Sequence, residues 1–208
     1  MLLGRLLAAV YDRGARRAEE AGLRLRRARL LGGLHGRVLE VGAGTGLNLD
    51  HYPPEVRLVL TEPDPHMRRR LAERLAASGR DVEVIEATAE DLPFQDASFD
   101  AVVCTLVLCS VRDLRGALAE IGRVLRPGGK LVLLEHVRGE GARAALQEIV
   151  APVSRLLLTC SPNRRTADAV RAAGFQLTED RFELEGSTVW TRPAIQGIAI
   201  RIPSPRAR

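Results

Sequence analysis

The spacing of apolar residues changes several times along this chain, and each change predicts an element. Leu3, Leu6, Leu7 and Val10 recur at helical spacing, and arginines between Arg13 and Arg29 follow, mixed with Glu19, Glu20 and alanines. Residues 1–34 therefore predict one or two amphipathic helices, a cap or lid over the core. Residues 38–41 have strand character, and residues 56–62 read as a second strand. Asp64 and Pro65 supply an N-cap and a first-turn proline for a helix with Met67, Leu71 and Leu75 on one stripe, stopped at Ser78 and Gly79. Strands are predicted at 82–85 and 99–106. The run 101–106 does not alternate, as expected of a parallel strand buried on both faces. Asp113 can cap a helix carrying Leu114, Leu118, Ile121 and Leu125, which Pro127-Gly128-Gly129 stops. Residues 131–134 form another buried strand ending at Glu135 and His136. A helical stretch beyond Gly139 is interrupted by Pro152, residues 167–173 make a further helix, and residues 175–184 and 195–202 close the domain as two strands.

Strands alternating with helices in this rhythm predict an α/β sandwich, a doubly wound, Rossmann-like sheet of about seven strands that takes its ligands outside the strand carboxyl ends. At the first such end lies Glu40-Val41-Gly42-Ala43-Gly44-Thr45-Gly46, followed by the helix-like residues 47–50. Glycines there let the backbone turn sharply and touch a ligand. A dinucleotide turn wants Gly-x-Gly-x-x-Gly, and Leu47 stands where its third glycine would be. Glu62, twenty positions past Gly42, ends the second strand where a carboxylate can accept hydrogen bonds from ribose hydroxyls.

The 208 residues suit one domain, here 35–202 after the helical segment 1–34 and before a tail at 203–208. A formal charge of +5 would suit an anionic partner, but Lys130 is the only lysine and aromatics are 3% of residues, too few for base stacking. No nucleic-acid partner is expected. Peripheral membrane contact through residues 1–30 is an alternative to the cap. Cys104, Cys109 and Cys160 have no C-x-x-C spacing, so neither a disulfide framework nor a metal site is expected, and a reducing cytoplasm fits best. The longest apolar run, 101–111, falls short of the roughly 18–20 residues of a membrane span.

Three motifs in order, Glu40 to Gly46, Ala89-Glu90-Asp91-Leu92-Pro93-Phe94 with Ser98-Phe99-Asp100, and Leu125-Arg126-Pro127-Gly128-Gly129, resemble the core of class I S-adenosylmethionine-dependent methyltransferases. Residues 102–111 and Glu135-His136-Val137 resemble the group that includes vertebrate alkyl-thiol methyltransferases, with looser likeness at Cys160, Arg165-Thr166 and around Gly197. The resemblance implies a sheet whose last strand is antiparallel and S-adenosyl-L-methionine as cofactor. It places Glu40, Gly42, Ala43, Gly44, Thr45, Gly46 and Asn48 around the methionyl end and ribose. Glu62 would hold the ribose hydroxyls, Thr88 and Ala89 would border the adenine and Thr105 would line the floor beneath the sulfonium, with Pro63, Met67, Glu90 and Leu106 also at the cofactor. Thr88 departs from the Asp or Asn common in relatives, and Ser154 and Ala194 stand where the thiol-methylating group has tryptophan and histidine.

Methyl transfer from a sulfonium is an in-line displacement that needs an aligned acceptor lone pair, a dry site and, for some acceptors, a base. His136 and Asp113 are the candidate catalytic groups, although Asp113 also reads as a helix cap. Leu108, Cys109 and Trp190 are the candidate pocket for a small-molecule acceptor. The expected reaction is metal-independent methylation of a small, fairly apolar nucleophile, a thiol first. A lipid, a quinone-like compound or another secondary-metabolite O or N atom is the alternative. A regulatory protein that binds cofactor without turnover is a further one.

Overall fold

The computed structural model describes residues 14–158 and 160–202. Seven strands form one sheet in the order β3-β2-β1-β4-β5-β7-β6. They are β1 (Arg37–Val41), β2 (Arg57–Thr61), β3 (Glu83–Ile85), β4 (Phe99–Thr105), β5 (Leu125–His136), β6 (Phe175–Glu183) and β7 (Pro193–Arg201). β1 to β5 run parallel, and β7 inserts antiparallel between β5 and β6. The helices are α1 (Arg24–Leu31), α2 (Pro65–Ser78), α3 (Leu114–Val124), α4 (Gly141–Leu158) and α5 (Thr166–Ala172).

Strand parity sorts the core into two layers. Leu39, Val41, Val102, Cys104, Leu131 and Leu133 face α3 and α5, whereas Val38, Leu58, Leu60, Ala101, Val103 and Val132 face Leu31 of α1 and Leu71 and Leu75 of α2. By the same parity Glu40 and Thr105 point to the layer that α1 covers. The cap residues behave as their types predict. Asp64 Oδ1 accepts from His66 and Met67 N–H at 2.8 and 2.9 Å, and Gly79 ends α2 in the left-handed region at φ 66°.

Three expectations shift. The stop signal Pro127-Gly128-Gly129 lies inside β5, which starts directly after α3 with a register break between Phe99 and Ala101. Helix α4 runs straight through Pro152, because that residue is on the solvent side where a freed carbonyl meets water. Leu47 to Asp50 make turns and a short 3₁₀ segment, Leu49–His51. Among the described residues no helix is long and apolar enough to cross a membrane.

The N-terminal segment continues from helical residues 14–18 through a π-helical turn, Glu19–Leu23, into α1. Ala18 and Leu23 pack on Leu134, Leu184 and Ala194, with Leu106 and Phe182 beside them. The Arg26 guanidinium lies 3.7 Å over the Phe182 ring and pairs with Asp180 at 3.7 Å. This segment therefore spans the carboxyl ends of β4 and β5, in the position of a cap. Residues 1–13 and 203–208, which include part of the helix expected at 1–34 and the expected tail, lie outside the described residues.

Candidate functional site

The turn after β1 passes through Gly42, Gly44 and Gly46 at φ 63°, 58° and 86°. A Cβ on Gly42 would sit 2.8 Å from Val107 Cγ2, and one on Gly46 would sit 2.8 Å from Leu71 Cδ1. Those two glycines let the turn pack against its neighbours. A Cβ on Gly44 would meet nothing within 4 Å, so the middle glycine borders open space at the strand ends. Ala43 and Thr45 between them are buried, and Ala43 N–H donates to Thr61 O at 2.9 Å. Glu62 reaches the turn from the end of β2. Its carboxylate accepts from Gly44 N–H at 2.8 Å and Asp64 N–H at 2.9 Å. Burial raises its pKa, and the two amide bonds hold it back.

Beneath the turn is a buried polar network that the sequence located only in part. Glu40, 2% exposed, accepts from Asn48 Nδ2 at 2.8 Å and from the Tyr52 hydroxyl at 2.7 Å. Asn48 Nδ2 also donates to Thr105 Oγ1 at 2.9 Å. From α1, Arg27 donates to Asn48 Oδ1 at 2.8 Å, to Thr105 Oγ1 at 2.9 Å and to Glu19 at 3.0 Å, and is itself 3% exposed. Burial pushes Glu40 up to about 7, against the pull of Tyr52, Asn48 and Arg27. Arg27 and Tyr52 were not singled out from the sequence. Arg27 is one of many arginines in residues 13–29, and only the tertiary contact distinguishes it from a solvated one.

Among the other residues expected at the cofactor, Thr88 and Pro63 are exposed, Met67 is half-buried and Ala89 is buried. Arg123 fixes the following loop by donating to Leu92 O at 2.8 Å and Phe94 O at 2.6 Å while pairing with Glu120 and Asp96. Glu90 is half-buried. Its carboxylate accepts from Arg112 and Asp113 N–H at 2.8 and 3.1 Å, a brace between two loops.

At the end of β4, Leu106 has φ 60°, a strained conformation for a leucine, and donates to Leu134 O at 2.7 Å. Glu135, fully buried at the end of β5, accepts from the N–H groups of Val107, Leu108 and Cys109 at 2.9, 2.8 and 3.2 Å. The sequence signal that could have found this clamp is a carboxylate directly after the apolar run 131–134. Leu108 packs fully into the core and lines no open space. Asp113 is exposed at the start of α3, accepting from Arg115 N–H at 3.0 Å, and we assign it to capping. Trp190 is half-buried, its carbonyl accepting from Gln147 at 2.9 Å. His136 is half-buried and meets Cys109 and Cys160, with Nδ1 at 3.8 and 3.5 Å from their sulfurs. Burial alone would lower the His136 pKa, yet Cys109 and Glu135 carry the balance upward. A cleft of about 550 Å³ beyond β5 has Val137, Phe182 and Ala194 together with Arg138, Arg143 and Arg181 in its lining.

The open space at Gly44, the carboxylate of Glu62 beside it and a buried network holding both an acid and a guanidinium suit a nucleoside with a zwitterionic tail. Residues 39–133 match the methyltransferase domain family. The chain is 36% identical over 172 residues to human thiol S-methyltransferase TMT1A, covering 79% of this chain and 70% of that protein. It is 39% identical over 137 residues to the demethylmenaquinone methyltransferase of Deinococcus radiodurans, covering 64% of this chain and 54% of that one. The fold matches a SAM-dependent methyltransferase of Thermotoga maritima with a TM-score of 0.70 at 23% identity, over 96% of this chain and 97% of that chain. A Rossmann-like sheet with this strand order, a glycine turn built to this pattern and these relatives lead to one conclusion: the chain belongs to the class I S-adenosylmethionine-dependent methyltransferases.

Proposed function

We propose that this methyltransferase moves the sulfonium methyl of its cofactor to the sulfur of a small, fairly apolar thiol. The turn at Gly44 takes the methionyl end and ribose, and Glu62 takes the ribose hydroxyls. Arg27 faces the methionyl carboxylate, Glu40 balances the ammonium through the network it shares with Asn48, and Thr88 and Ala89 border the adenine. Thr105 and Leu106 lie beneath the sulfonium.

The observation that carries the acceptor class is the pair Leu106 and Val107, half-buried and uncharged, in a loop that Glu135 holds where the acceptor would meet the methyl, with Leu108 and Cys109 buried after them. Such a wall desolvates a nucleophile and holds a sugar or a phosphate poorly. Alignment supplies roughly 7–11 kcal/mol of an in-line displacement. A thiol ionises close to neutral pH, so it depends less than an alcohol on a positioned base. Likeness to a thiol S-methyltransferase over most of that protein supports the same reading. A quinone-like acceptor is the second reading, favoured by the likeness to a demethylmenaquinone methyltransferase.

A methyl-transfer screen across alkyl thiols, phenols, quinols, amines and lipids tests the proposal. Turnover is expected with apolar thiols foremost. Turnover confined to polar or macromolecular acceptors would overturn it.

A further inference from the structure

Cys109, His136 and Cys160 come from three separate segments, and their ligand atoms all lie within 4.8 Å of one another. Zinc bond lengths of about 2.3 Å to sulfur and about 2.0–2.1 Å to nitrogen, at a tetrahedral angle, give a sulfur-to-nitrogen edge of about 3.6 Å. The two such edges here are 3.8 and 3.5 Å. Two thiolates and a divalent ion are together neutral, which a site with Cys109 at 1% and Cys160 at 7% exposure can bury.

The ligand-bearing segments are fastened to one another by bonds that do not involve the ligand atoms. Ser161 N–H donates to Cys109 O at 2.8 Å, and Arg138 N–H donates to Arg164 O at 2.9 Å. Arg164 Nη1 in turn donates to Leu108 O at 2.6 Å. Gln147, with no exposed surface, donates to Val137 O at 3.1 Å and Pro162 O at 2.9 Å. Glu135 fixes the Cys109 backbone from below. Three ligands are thus held before any metal arrives, as a metal site of good affinity requires.

We propose that Cys109, His136 Nδ1 and Cys160 bind one zinc ion whose fourth position takes the acceptor thiol as a thiolate. The site lies at the carboxyl ends of β4 and β5, the edge that also carries the glycine turn. Two cysteines and a histidine with an open fourth position form a donor set suited to substrate ligation. The acceptor thiol would bind sulfur to metal and release its proton to solvent. A sulfur lone pair would then form the new bond to the methyl carbon as the carbon–sulfonium bond breaks, its electrons passing to the cofactor sulfur. The product thioether is neutral, a weaker ligand, and leaves. The substrate role rests on the thiol reading above, whereas the metal site does not. It also revises the expectation of a metal-free protein, which came from the absence of C-x-x-C spacing.

The test is metal content and Co²⁺ spectroscopy of the full chain, wild type beside Cys109→Ser, His136→Ala and Cys160→Ser, with S-adenosylhomocysteine binding as the control for folding. About one equivalent of zinc is expected in the wild type, with affinity at least tenfold weaker in variants that still bind the control ligand. Bound Co²⁺ should give a tetrahedral thiolate spectrum that shifts with ethanethiol and not with its methyl thioether. No metal above trace after zinc loading, equal zinc affinity in the variants, or a stable Cys109–Cys160 disulfide in place of metal would overturn the site. A Co²⁺ spectrum indifferent to ethanethiol would overturn its substrate role. Undiminished thiol turnover after metal removal would also overturn that role, while leaving the thiol reading intact.

Discussion

Glu40 is a buried ionisable group, so its contribution to folding depends on pH. Its pKa near 7 means that the unfolded chain ionises it before the folded chain does. Its contribution to stability is therefore fully present below about 4.5 and is lost as pH rises to about 7. The loss is on the order of 3 kcal/mol. Melting temperatures measured between pH 5 and pH 8 should fall for the wild type and stay nearly level for Glu40→Gln. Parallel curves would mean that Glu40 is ionised throughout. At the neighbouring turn, Gly44→Val places a branched side chain in open space at φ 58°. Calorimetry should find cofactor affinity at least a hundredfold weaker in that variant, and unchanged affinity would put the cofactor elsewhere.

At the scale of elements, two devices hold the site together. Helix α1 inserts Arg27 between Asn48 and Thr105, so the N-terminal segment and the proposed cofactor floor share one network. Arg27→Met keeps an unbranched apolar stem and removes the guanidinium and its charge. It should weaken cofactor binding by about tenfold or more, the worth of a charge-assisted hydrogen bond. The loop after β4 hangs on Glu135. Glu135→Ala leaves three N–H groups without their acceptor and should cost about 3–5 kcal/mol in denaturant unfolding. A cost below 1 kcal/mol would mean that water replaces the carboxylate.

The whole molecule explains what was legible beforehand. Strands buried on both faces, the capped helices at Asp64 and Asp113, and the acid at Glu62 are local signals, and each sits where its pattern placed it. What escaped depends on contacts between distant segments. Arg27 has no distinguishing neighbour in sequence. Cys109 and Cys160 lie on separate loops, so no spacing rule joins them to His136. Helix α4 buries Ala144, Gln147, Ala151 and Ser154 and leaves Leu146, Ile149, Val153 and Leu156 exposed, the reverse of what hydropathy suggests, because Gln147 is needed inward to satisfy carbonyls. The part of the N-terminal segment that is described packs Ala18, Leu23 and Leu31 into the core clusters.

The central claim, methyl transfer to thiol sulfur, is tested most directly by competition in one vessel. A small alkyl thiol and a quinol of similar apolar area are offered together with cofactor labelled at its methyl group, and both products are followed by mass spectrometry. The account predicts labelled thioether in at least tenfold excess over labelled quinol ether or C-methyl product. Label entering the quinol alone, or neither acceptor, would contradict it.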